Sequence, residues 1–461
     1  MITVKLIAET KLTEEVVGIK KDEVLALASH AAKECYRSDA AVMGDMLDVE
    51  NQLFKTSHHT TVTHPVFTFN VEGIAVSDIT FGAHLGFPFY NSDQRSGRYC
   101  AKMFLEPDFP AIEAYIKKLW PELSKASLRK VMDFVKKGVA IYRANIEAAT
   151  KIASEIILKE RPFASKLIKN NAGKIAQEQL RTFISTIFPT GFDYTVDFLS
   201  VLSLYKAAWT PGLMDLTQKI ADIILERHPE VAFVFSRRNK AWAPKILSSK
   251  GKIKVKPVLL LKGLNHGKEI VMPDLVDMYP VDLLHFLPEY MDNNINDVQT
   301  EVEISIACMG QDQRHRTIRR GTPELTGNFY LPPVIELLPK AKKMAKDYLA
   351  LWHEIAKIIP ETLAVAIAPY GTMVKYDKQS SFNALIHEQG KRLCWCAQEE
   401  IYHLGRSLRI GIESIKGEKA PLLNILEPPC FKNGVCAEGQ RYCGRDRRLR
   451  KSGDYFPERK V

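Results

Sequence analysis

The alternation of strand-period and long helix-period segments most constrains what this chain can fold into. Residues 2–8 (ITVKLIA) and 66–71 (VFTFNV) alternate with a period of two, and in the second Phe67, Phe69 and Val71 share one face. Val302, Ile304 and Ile306 alternate too, which leaves room for a strand there. Helical spacing of apolar residues runs through residues 22–37 (Val24, Leu27, Ala28, Ala31) and 110–123 (Ile112, Tyr115, Ile116, Leu119). It recurs over residues 131–158 and 334–359, the latter with Leu337, Ala341, Met344, Leu349 and Trp352. Such a mixture implies an α/β or α+β class. Arg161–Pro162 and Pro211–Gly212 read as breakers. Residues 237–268 are rich in Lys, Pro and Gly, and 250–256 (KGKIKVK) reads as a connector or an exposed hairpin. The boundary between two halves falls near residue 235, giving segments 1–235 and 236–461.

A length of 461 residues suggests two or three domains, and 46% hydrophobic residues suffice for large cores. Residues 1–17 carry charge in every turn, unlike a signal peptide, and no apolar run approaches the roughly 18 residues of a membrane span. A cytoplasmic, soluble protein with no membrane partner is expected. Cys35, Cys100 and Cys308 stand apart, whereas Cys394, Cys396, Cys430, Cys436 and Cys443 cluster late in the chain. Without an export signal, such clusters are more often metal ligands or free thiols than disulfides. Residues 430–444 (CFKNGVCAEGQRYCG) space three cysteines six and seven apart, looser than a C-x2-C pair. The net charge of +10 favours anionic partners: nucleotides, phosphorylated cofactors or nucleic acid. The basic run 445–451 (RDRRLRK) reads as a solvated tail, and the aromatic–basic mix over 442–455 as surface. There is no Walker loop and no G-x-G-x-x-G.

Two segments carry the chemistry: 92–99 (SDQRSGRY) and 311–330 (QDQRHRTIRRGTPELTGNFY). Arg314-His315-Arg316 followed by a hydroxyl residue resembles the RHR-x7-S-x-R signature of flavin-dependent thymidylate synthases. In the second segment Thr326 stands for Ser and Asn328 for Arg, at a spacing of nine. In the first, Ser96 and Arg98 supply S-x-R and Gln94 stands for Glu, while Gly86-Phe87-Pro88 occupies the place of RHR. The losses are complementary. Residues 58–69 (HHTTVTHPVFTF) resemble the family's segment ahead of the motif, with His64 in the His position. Residues 31–38 (AAKECYRS) resemble the end of its first helix. Residues 391–401 (KRLCWCAQEEI) resemble its L-R-x4-A-Q-x-E-I block, with Arg392 as the nucleotide-contacting arginine; Lys206 is the rough first-half equivalent. Arg181, in EQLR, matches an arginine ahead of the family's later strand only weakly. On a helix Gln311, Arg314 and His315 would share one face.

The resemblance implies two tandem thymidylate-synthase-complementing-protein-like domains, each a mixed sheet with long helices. It implies FAD-dependent methylation of deoxyuridylate (dUMP) at C5, with methylenetetrahydrofolate as carbon donor and NADPH as reductant of the flavin. Guanidinium forks suit the dianionic nucleotide phosphate, which points to Arg98 and Arg392. Arg314 or Arg316 would stabilise charge on the pyrimidine, with Arg314, His315, Arg316 and His64 toward the flavin. Gln94, Ser96, Gln311, Glu324 and Thr326 would contact the nucleotide. Ser96 has no dedicated base, so it reads as a hydrogen-bond partner rather than a nucleophile. Some members of the family resemble the late cysteines closely, and on that match Cys394, Cys430, Cys436 and Cys443 would hold a structural zinc. His58, His59 and His64 lack acidic or cysteine companions and read as turn or pocket histidines. Family sites form between subunits of a tetramer, so a homodimer of fused chains would rebuild four units with two working sites. The alternatives are another flavin-dependent C5 modification of a pyrimidine nucleotide and a basic nucleic-acid-binding protein on a decayed scaffold.

Overall fold

A computed structural model describes residues 1–461 except 14–22, 36–38, 40–45, 86–89, 99, 101, 237, 240–241, 272–286, 418, 433, 435, 437 and 446–455. The expectations for 86–88, for the end of the helix near 37 and for most of the basic tail fall outside the described residues. In chain order the main elements are β1 (Thr3–Glu9), α1 (Glu23–Glu34), β2 (Val66–Ala75), β3 (Tyr90–Gln94), α2 (Phe109–Leu119), α3 (Lys125–Glu160) and α4 (Ala172–Leu180). They continue with β4 (Pro189–Asp197), α5 (Phe198–Ala207), α6 (Pro211–Arg227), β5 (Ile253–Lys254), β6 (Val258–Asn265), β7 (Asp297–Ser305) and α7 (Ile306–Asp312). Last come β8 (Arg319–Arg320), β9 (Glu324–Tyr330), α8 (Ala341–Ala356), β10 (Thr372–Ser381), α9 (Phe382–Arg392) and α10 (Glu399–Lys416). The class is mixed α/β.

Two compact units result: Met1–Ser96 with Asp108–Leu128 and Thr186–Ala243, and Gly97–Pro107 with Arg129–Ser185 and Pro244–Val461. The units thus interleave along the chain, and the helical segment of the first half belongs to the second unit. The first unit holds a four-stranded sheet in the order β1-β2-β4-β3, antiparallel throughout. Alternation in β2 buries Phe67, Phe69 and Val71, as the period-two pattern requires. α5 follows β4 directly because Asp197 caps it, accepting the Ser200 amide at 2.9 Å. Pro211 breaks the chain there by opening α6 at its first turn, where a missing amide hydrogen costs nothing.

The second unit holds a six-stranded sheet, β5-β9-β10-β7-β6, with β8 paired to β10. Counting β6, β7, β9 and β10 as first to fourth, its strand order matches that of the first unit: first, second, fourth, third. The fourth strand again leads into a capped helix, since Ser381 accepts the Ala384 amide at 3.3 Å to start α9. Lys206 and Arg392 both sit in the last turn of that helix in their respective units. Residues 250–256 are a connector with a short edge strand, β5, parallel to β9.

The long helical period over 131–158 is realised within α3, which ends at Glu160 ahead of Pro162. The single helix expected over 334–359 is a correction. Pro339 has no amide hydrogen, and Lys340 adopts a left-handed conformation (φ 57°), so a short helix Pro333–Glu336 is separated from α8 and Leu337 is 49% exposed. α3 and α8 approach closely, with Phe134 and Tyr348 stacked at 4.6 Å. Gly138 permits this: a Cβ there would stand 2.2 Å from the Phe183 carbonyl oxygen and 2.4 Å from the Tyr348 hydroxyl. Gly138→Ala should therefore destabilise by about 1–3 kcal/mol in urea titration, opposite to the gain that alanine brings to an open helix.

Candidate active site

The segments that lead into the fourth strands pair with each other inside the second unit. Ser185 bridges Pro369 antiparallel, Tyr370 donates its amide to Ile184 O (2.8 Å), and Gly371 donates to Thr182 O (2.9 Å). This pairing fixes Arg181, just past the end of α4, beside the start of α7.

β7 ends at Ser305, whose hydroxyl accepts the Cys308 amide (3.0 Å) and so caps α7. Glu400, in the first turn of α10, accepts the Ser305 amide (2.7 Å) and hydroxyl (2.5 Å). Burial raises the Glu400 carboxyl to about 7. α7 stops at Asp312, a fully buried carboxylate that accepts from Lys378 Nζ (2.6 Å), Arg320 Nε (2.5 Å) and the Tyr376 hydroxyl (2.8 Å). Burial alone would raise Asp312, but the Arg320 and Lys378 charges outweigh it and hold the group well below the usual carboxylate range. Arg320 also donates to the carbonyls of His315 (3.1 Å) and Ile318 (2.9 Å). The turn bearing Arg314-His315-Arg316 is thereby closed onto Asp312. The shared helical face expected for Gln311, Arg314 and His315 is corrected by this closure: the helix ends at Asp312, and Arg314 and His315 continue in bonds to residues three back (3.3 and 3.1 Å).

Arg392 donates to the Gln311 carbonyl (2.7 Å), and the Gln311 side-chain amide donates to Gln398 Oε1. Gln398 Oε1 also accepts from Arg181 Nη2 (3.0 Å). Arg98 pairs through Nε with Glu178 and donates to the Cys396 carbonyl (3.2 Å). Several buried polar atoms in this group find no partner among the described residues: Gln311 Oε1, both His315 ring nitrogens, Arg181 Nε and Arg392 Nε. Native interiors leave few such atoms, and a cluster of them suits a polar ligand. Burial, then the Arg392 and His387 charges, hold His315 well below 6.5, so it stands as a neutral imidazole. Arg314 is exposed and Arg316 half-buried on the same turn.

The comparisons bear on this arrangement. Residues 19–231 match the family model described as thymidylate synthase complementing protein. The thymidylate synthase complementing match includes S-x-R and ends before Arg314-His315-Arg316. Among solved structures, the chain is similar to a thymidylate synthase X of Helicobacter pylori crystallised with FAD and dUMP. Identity there is 17%, over 51% of this chain and 100% of that one, with a TM-score of 0.29. No curated protein matches.

Of the residues singled out from the family motif, Arg98, Gln311, Arg314, His315, Arg316, Glu324, Thr326 and Arg392 lie in the second unit, and His64, Gln94 and Ser96 in the first. Gln94 ends β3, Ser96 follows it half-buried, and His64 is exposed after a short 3-10 turn. Thr326 donates its hydroxyl to the Met373 carbonyl (3.3 Å), within the sheet beside the left-handed Gly327. Sequence reasoning gave no role to Gln398, Glu400, Asp312, Arg320 or Lys378. The A-Q-x-E-I block contains the first two and is the signal that marks them.

Cys394, Cys396, Cys430, Cys436 and Cys443 line one small cavity of about 20 Å³ and form no disulfide. Among the described residues no three His, Cys, Asp or Glu side chains are set to hold a metal ion. No helix among them is long and apolar enough to cross a membrane.

Proposed function

We propose that the chain is a flavin-dependent thymidylate synthase that methylates dUMP at C5, with methylenetetrahydrofolate as carbon donor and NADPH as reductant. The observation that carries this is the cluster of partnerless polar atoms on Gln311, His315, Arg181 and Arg392, beside the exposed Arg314. FAD, when bound, supplies the hydride chemistry. The residues present fit it: Arg314 and Arg316 offer cations to its diphosphate, and neutral His315 offers a ring N–H without a competing partner. Arg98 and Arg392 hold the nucleotide phosphate, with Gln311, Glu324 and Thr326 as further nucleotide contacts. Arg314 or Arg316 stabilises the negative charge that C5 activation places on the pyrimidine.

The halves 1–235 and 236–461 are read as two repeats that contribute to one site. Support comes from the shared strand order, the equivalent capped helices ending at Lys206 and Arg392, and the pairing of Ser185 with Pro369. Two such chains would form a pseudo-tetramer with two working sites.

The visible spectrum of the purified protein tests the reading. Flavin bands at two per dimer, perturbed by dUMP, are expected; a colourless protein that FAD fails to reconstitute sinks it. For the late cysteines we propose a structural zinc on Cys394, Cys430, Cys436 and Cys443, which line one cavity, although their thiols are not gathered for a metal among the described residues. Elemental analysis should find one zinc per chain, lost in Cys430→Ser; a metal-free protein of full thermal stability counts against it.

A further inference from the structure

Three arginines from distant parts of the chain meet one short turn in the second unit. Residues 393–398 connect α9, which ends at Arg392, to α10, which starts at Glu399. Outside a helix or strand, the carbonyls of such a turn need donors from elsewhere. Arg161, just after α3, donates to Trp395 O (2.8 Å); Arg98 donates to Cys396 O (3.2 Å); and Arg459 donates to Ala397 O (2.7 Å). Within the turn, the Ala397 amide donates to Cys394 O (3.0 Å).

The two outer arginines are buried, Arg161 4% and Arg459 2% exposed. Arg459 is tied down on other sides as well. Its Nη1 donates to Val461 O (2.5 Å), its amide donates to His403 Nε2 (3.3 Å), and its guanidinium lies 4.5 Å from the centre of the Tyr402 ring. Water would satisfy the same carbonyls at a far lower desolvation cost than buried guanidiniums. What the guanidiniums add is a fixed place for the turn.

The residues that the turn carries give that place a use. At one end Arg392 donates to Gln311 O (2.7 Å). At the other, Gln398 Oε1 accepts from the Gln311 side chain and from Arg181 Nη2 (3.0 Å). In the middle, Cys396 O takes one arm of Arg98, whose Nε pairs with Glu178. A shift of the turn would therefore move Arg98, Arg392 and Gln398 together. We propose that Arg161 and Arg459 are positioning residues of the nucleotide site: by holding Trp395 O and Ala397 O, they place Cys396 O for Arg98 and fix Arg392 relative to Gln398. This rests on the reading of Arg98 and Arg392 as the contacts of the nucleotide phosphate.

The test follows dUMP turnover by the full chain carrying Arg459→Ala, with and without millimolar guanidinium ion, which is small enough to enter the cavity of about 300 Å³ that Arg459 lines. KM for dUMP should rise about tenfold, the scale of one lost charge-assisted hydrogen bond, while KM for NADPH stays at the wild-type value. Guanidinium ion should bring KM for dUMP most of the way back, and ammonium ion should not. Arg406→Ala is the second variant. Its side chain is 27% exposed and donates to Phe456 O (2.6 Å), so the change loosens the segment that carries Arg459 without emptying a buried position. It should raise the same KM several-fold at an unchanged melting temperature. Amide hydrogen exchange over residues 393–398 should rise in Arg459→Ala and fall again with guanidinium ion. An unchanged KM in both variants, or a rise in Arg459→Ala that guanidinium ion leaves in place, overturns the proposal. A wild-type chain that binds no dUMP sinks the proposed function instead, and the exchange over 393–398 then decides by itself whether the arginines hold the turn.

Discussion

Asp312→Ala is expected to lower unfolding stability by about 3–5 kcal/mol, the range for removing one partner from a buried ion pair. The size follows from what would remain. Lys378 is buried with Nζ on Asp312 (2.6 Å) and Glu388 (2.7 Å), and the partly buried Arg320 pairs with the same carboxylate. Without Asp312 two cations share Glu388 alone, and the turn of Arg314-His315-Arg316 loses its anchor. Flavin affinity should fall with stability. The sign with pH is fixed: Asp312 is depressed in the folded state, so its contribution is present above the unfolded carboxylate range near 3.8 and is lost only as pH falls through the lower folded value. The gap between wild type and Asp312→Asn should thus hold from pH 8 to pH 5 and shrink only in stronger acid. A loss below 1 kcal/mol for Asp312→Ala in urea titration would mean that the network does not hold the turn.

Arg98→Ala and Arg314→Ala should each reduce kcat/KM for dUMP turnover by about two to three orders of magnitude. Truncating one partner of a charge-assisted contact costs about 2–5 kcal/mol, and each 1.4 kcal/mol is tenfold. The two positions come from different halves of the sequence, which gives the pair its diagnostic value. Arg95→Ala, three residues before Arg98 and paired on the surface with Glu72, is the control and should stay near wild type. Full activity in Arg98→Ala would end the idea that both halves build one site.

Periodicity made the sheets and long helices legible, because alternation in β2 and the 3.6-residue spacing of α3 report burial directly. The helix break at Pro339 was also visible in principle, but apolar spacing on both sides masked it. Arg314-His315-Arg316 and Arg392 stand out in the sequence because each sits in a short motif, and they lie in the candidate site. Its supports do not stand out. Nothing local marks Asp312, Arg320 or Lys378, since only the fold brings a strand lysine and a helix-end aspartate together in the interior. Arg181 and Gln398 stand 217 residues apart, and nothing local announces their contact.

The pairing of residues 182–185 with 367–371 has an evolutionary consequence. Between separate identical subunits, every substitution on such a surface would appear twice, so it would have to suit itself. Covalent linkage removes that restriction and replaces dependence on protein concentration with a fixed effective concentration. Each side of the seam can then drift alone. On the proposed reading of the halves as two repeats, S-x-R in one and RHR in the other are the kind of asymmetry that such freedom permits.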